Sequence, residues 1–129
     1  MSNAQSLHQQ AMQLLDKANV AHMGGSDTAA GQLNRQAYEL EKQAAELLPD
    51  TPQHEPTRAI LYRSAAILAL DCGEIDDAIR LIDAGLAGSP PAVLAKQLHE
   101  LRDQHVFSHS IRDEGHPVTT EPNKRAITY

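Results

Sequence analysis

Apolar residues in the first part of the chain fall at Ala4, Leu7, Ala11, Leu14, Ala18 and Ala21, in alternating steps of three and four. Such a stripe marks one face of a helix, predicted over Asn3 to Met23. Gly24-Gly25 ends it, and Ser26 or Asp27 offers a side-chain oxygen to cap the next helix. A second stripe follows at Ala30, Leu33, Ala37, Leu40, Ala44 and Leu47, predicting a helix over Thr28 to Leu48. Two stripes of similar length joined by a short loop predict an antiparallel pair spanning 3–48. On the opposite faces Asp16, Lys17, Arg35, Glu39, Glu41, Lys42 and Glu46 read as solvated.

Pro49, Pro52 and Pro56 then exclude a continuous helix. The next segment, Thr57 to Asp71, is apolar on nearly every side, which predicts a helix buried between neighbours. Gly73 breaks the chain. A fourth helix is predicted over Glu74 to Ala87, with Ile75, Ala78, Ile79, Ile82 and Leu86 inward and Gly88 at the C′ position. Pro90-Pro91 opens a fifth helix, over 91–107, with Leu94, Leu98, Leu101 and His105 in register. From Gly115 onward the periodicity stops. Residues 115–129 therefore read as a flexible tail, and 1–114 as one helical domain. The fold class is all-α: a five-helix antiparallel hairpin array.

Composition narrows the functions this array can serve. Aromatics make up 3% of the 129 residues and Trp is missing, so the core is aliphatic. A formal charge of −6 with few aromatics argues against nucleic acid as a partner, since both phosphate neutralisation and base stacking lack supply. The single cysteine, Cys72, forbids an internal disulfide and fits a reducing, cytoplasmic setting. At a helix C-terminus its thiolate is disfavoured, which argues against a nucleophile. No run approaches the length of a membrane span.

The stretch Tyr62, Ala65, Ala66, Ala69, then Gly73, Ala78, Ile79, Leu86 and Pro90 resembles the tetratricopeptide repeat, a helical hairpin of about 34 residues. In that family a bulky aromatic opens the first helix (Tyr62) and small residues follow (Ala65, Ala66). A glycine makes the turn (Gly73), a small residue opens the second helix (Ala78), and a proline closes the repeat (Pro90). The likeness covers about half the chain, with its clear repeat near 59–92. It departs at Ala69, where the family has Tyr or Leu, and at Gly85, where it has Ala. It implies a solenoid fragment, with a long hairpin before the repeat 57–90 and a capping helix after it.

The resemblance also implies a non-catalytic protein-interaction module, an adaptor or scaffold whose A-helix face holds a protein or peptide. That face would present Ile60, Arg63, Ile67 and Leu70. Arg63, with Arg58, would anchor a partner's carboxylate. The first hairpin offers a second surface, for a homodimer.

One constellation suggests chemistry instead. Arg102-Asp103 with His109 resembles the motif of HEPN-type ribonucleases, small helical bundles in which His moves the proton at the 2′-OH and Arg stabilises charge on the phosphate. His105 and His109, four apart, could join Asp113 or His116 around zinc. That pair carries no metalloprotease Glu, so no metal and no cofactor is expected.

Overall fold

The computed structural model describes residues 3–114, with side chains through His105. The expected tail, 115–129, lies outside the described residues. Among these are five helices and no strand: α1 (Asn3–Met23), α2 (Asp27–Leu47), α3 (Thr57–Asp71), α4 (Ile75–Ala87) and α5 (Ala92–Glu114), with a 3-10 turn at Pro52–His54. Each helix packs on its neighbours in the chain, so the array grows by adding one helix at a time. α3 lies between α2 and α4, as its apolar circumference requires.

The two hairpin turns share one geometry. After α1 the Gly25 N–H bonds the His22 carbonyl at 3.0 Å and the Ser26 N–H bonds the Ala21 carbonyl at 2.8 Å. After α3 the Gly73 N–H bonds Leu70 at 3.0 Å and the Glu74 N–H bonds Ala69 at 2.8 Å. These are Schellman closures, and both glycines sit at positive φ, 85° and 80°. Ser26 and Glu74 are at once the second residue of the closure and the N-cap of the next helix. Neither makes a side-chain cap. The expected capping oxygen is thus unused: Asp27 instead faces His22, with Oδ1 2.8 Å from Nδ1.

This shared turn sets a register of 48 residues between the hairpins, from Gly25 to Gly73. Small residues recur along it. Ala11, Ala18, Ala30 and Ala37 correspond to Ala59, Ala66, Ala78 and Gly85, and all eight are buried. They let paired helices approach closely. One exchange of volume distinguishes the hairpins: Tyr62 stands where the first has Leu14, and Gly85 where it has Ala37. A Cβ at Gly85 would lie 3.0 Å from Tyr62 Cβ and 3.2 Å from Leu98 Cδ1. The glycine therefore makes room for the ring.

Gly88 has a related reason. Its φ of −85° places no demand for glycine, so it is not the left-handed C′ residue that its position suggested. A Cβ there would fall 2.5 Å from Arg58 Nη1, 2.9 Å from Asp50 Oδ1 and 3.0 Å from Glu55 Oε2. Helix α5 begins at Ala92, and its backbone runs to Glu114, beyond the expected end at 107. No described helix is long and apolar enough to cross a membrane.

Candidate functional site

Helix α5 packs on α4 through the fully buried Leu98 and touches α3 only lightly. The gap between α3 and α5 is an open cleft of about 500 Å³, lined by Arg63, Gln97, Glu100, Leu101, Asp103 and Gln104. Arg63 comes from α3 and the other five from α5. Parallel course explains the meeting: α3 and α5 are alternate helices of the array, so both run in the same direction.

The cations of the molecule divide by how they are engaged. Arg35 bonds Glu74 at 3.1 Å and the Cys72 carbonyl at 3.2 Å, closing the C-terminus of α3. Arg80 bonds Asp77 and Glu46, and Lys42 lies 3.2 Å from Asp77. Arg102 bonds Asp83 on α4 at 2.8 Å. Arg63 has no hydrogen-bond or ion-pair partner among the described residues, and neither do Glu100 and Asp103 across the cleft. The cleft therefore holds charges of both signs that have no partner among the described residues.

The face expected on α3 is only partly open. Ile60 is 47% exposed, and Arg63, Ile67 and Leu70 are half-buried. Leu70 packs against the core. Arg58 differs from the expectation. It is 6% exposed, lies over the Tyr62 ring with its guanidinium carbon 4.8 Å from the centroid, and points into the molecule. Its nearest carboxylate oxygen, Glu55 Oε2, is 3.9 Å away, close enough for attraction but too long for a hydrogen bond. Nε and Nη1 are left without a hydrogen-bond partner. Glu55 spends its oxygens elsewhere, accepting the backbone N–H of Ala59 at 3.1 Å and of Ser89 at 3.3 Å. Arg58 thus belongs to the interior where the α2–α3 and α4–α5 loops meet, because helical register turns it away from the Ile60–Arg63 face.

Two polar groups escaped the sequence reading. Glu41, expected in solvent, is fully buried between α1 and α2, with Oε1 2.8 Å and Oε2 3.0 Å from His8 Nδ1. Tyr38, outside the alanine-leucine stripe, is buried with its hydroxyl on Asp77 of α4. A polar residue whose partner is 33 or 39 positions away leaves no local signal.

The ribonuclease constellation is divided. Arg102 is engaged by Asp83 and does not line the cleft, while the side chain of His109 lies outside the described residues. Seven residues along one helix set the two Cα atoms about 10 Å apart along its axis. The zinc reading also falls largely outside the described side chains. Among the described residues no group of three or more His, Cys, Asp or Glu converges on one point. Cys72 is half-buried, and burial pushes its thiol above its ordinary value, against the smaller opposing effect of Arg35. The alanines of both first-hairpin stripes are buried except the half-buried Ala21, near which Val20 and Met23 are exposed.

Comparison with family models, curated proteins and solved structures returned no match.

Proposed function

We propose that this chain is a non-catalytic protein-interaction module, a cytoplasmic adaptor or scaffold of tetratricopeptide-like arrangement, whose partner docks in the α3–α5 cleft. The observation that carries this reading is Arg63, which stands in an open cleft without a partner among the described residues, while Arg35, Arg80 and Arg102 are each bonded to a carboxylate. A half-buried guanidinium beside the half-open Ile67 and Leu101 suits a peptide that brings one carboxylate and an apolar side chain. The recurrence of one turn and one ladder of small residues in both hairpins supports the repeat arrangement. In such an array α1, α3 and α5 would be the A-helices that line the groove.

A displayed peptide library selected on the purified protein tests this. Selected peptides should share an acidic residue, and Arg63→Ala should weaken them about tenfold, the size of a single well-placed charged contact. Lys17→Ala, on the outer face of α1, should leave binding unchanged. Peptides that bind wild type and Arg63→Ala equally would overturn the assignment of the cleft.

A further inference from the structure

Helix α5 is held on the array at a few points, ordered along its length. Its start is pinned from α3: Glu55 Oε2 accepts the Ser89 N–H at 3.3 Å, and Pro90-Pro91 follow directly. Proline fixes φ, so the freedom of the α4–α5 connection is confined to Gly88 and Ser89. Further on, Leu98 is the one buried side chain among residues 92–105. It sits over Gly85, where an added Cβ would lie 3.2 Å from Leu98 Cδ1. One turn later Arg102 bonds Asp83 of α4 at 2.8 Å, with both side chains open to solvent.

The first helix is anchored differently. α1 buries Ala4, Ala11 and Ala18 along its length and adds the His8–Glu41 pair. Among the described side chains α5 is thus the most lightly seated helix, and it is also the wall of the cleft. Five of the six lining residues belong to it. The cleft exists only while Leu98 is in place.

We propose that α5 is a gate. Pivoting at Gly88 and Ser89, it leaves α4 as one unit while α1–α4 stay folded, and so unmakes and remakes the cleft. A segment with few buried apolar contacts opens at lower free energy than the rest of its domain. A peptide that bridges Arg63 and α5 holds the gate shut, and its affinity scales with the closed fraction. That coupling rests on the proposed reading of the cleft; the gate does not.

Native-state amide hydrogen exchange, read residue by residue on the full chain, tests the gate. Helical stability comes mainly from packing, so an undocked α5 releases its amides. The amides of Leu98, Leu101 and Arg102 should share one opening, about tenfold or more above that of Ala65 and Ala66 in α3. Asp83→Asn changes no residue of α5, so it separates undocking from fraying. It should speed the α5 amides about two- to fivefold, the size of an exposed ion pair, with α3 unchanged. Leu98→Ala should speed them about tenfold or more, again with α3 unchanged. Equal protection of α5 and α3, α5 rates that ignore both substitutions, or α3 accelerating together with α5 would each overturn the proposal. The two readings can fail separately. An Arg63-dependent peptide without independent α5 opening would sink the gate alone. Independent opening without any Arg63-dependent peptide would leave the gate standing and remove the outside partner.

Discussion

The Tyr38 hydroxyl donates a hydrogen bond to the Asp77 carboxylate and so ties α2 directly to α4, one helix beyond its nearest neighbour. Lys42 and Arg80 complete the carboxylate's surroundings. Burial alone would raise the Asp77 pKa, but the bonds from Tyr38, Arg80 and Lys42 outweigh it and hold the group below its ordinary value. Tyr38 is pushed the other way, by burial first and by its bond to Asp77 second.

The signs follow by linkage. A carboxylate with a depressed folded pKa contributes stability that is complete well above the unfolded value of about 3.9 and is lost as pH falls through the folded value. A phenol with a raised folded pKa contributes stability below about 10 that is lost as pH rises past it. Tyr38→Phe should therefore cost about 1–2 kcal/mol in urea unfolding at pH 7, and clearly less at pH 3. An equal cost at both pH values would contradict the charge-assisted bond.

Glu41 and His8 should behave as a unit. With Glu41 fully buried and His8 its bidentate partner, His8→Ala leaves a carboxylate inside the hairpin with nothing to bond. A loss of about 3 kcal/mol is expected. Replacing both, as His8→Leu with Glu41→Met, should recover most of it. A double-mutant cycle by urea unfolding reads the coupling, and a His8→Ala cost under about 0.5 kcal/mol would show that Glu41 has another partner.

Gly85→Ala opposes helix propensity to packing. Alanine gains about 1 kcal/mol within a helix, yet its Cβ would press on Tyr62 Cβ, which stands next to rigid backbone. A net loss of about 1–2 kcal/mol is expected by thermal or urea unfolding. Tyr62→Leu together with Gly85→Ala copies the Leu14 and Ala37 of the first hairpin, and should cost less than the sum of the single changes. Simple additivity would separate the two positions.

Helix positions were legible because small and apolar residues repeat at three and four. α1 and α3 match their expected bounds, α2 is shifted by one residue at both ends, and α4 starts one residue later. The relation between the hairpins was hidden because volume had been exchanged across helices. Leu14 against Ala37 and Tyr62 against Gly85 fill equivalent positions with different residues, so identity does not align them. Glu41 and Arg58 carry charge, and periodicity alone put each outside; their burial depends on His8 and on Tyr62 and Glu55, which the chain brings in from other helices and loops. The Ile60–Arg63–Ile67 face was implied by the tetratricopeptide resemblance; on it Ile60 is exposed and Arg63 and Ile67 are half-buried. The cleft beside it was not legible, because it depends on how lightly α5 meets α3.

The central claim is that the α3–α5 cleft receives a partner, and amide chemical-shift mapping with a selected acidic peptide tests it most directly. The largest changes should fall at Arg63, Ile67, Gln97, Leu101 and Gln104, and should disappear in Arg63→Ala. Changes centred instead on the exposed Val20 and Met23 of α1, and unaltered by Arg63→Ala, would contradict it.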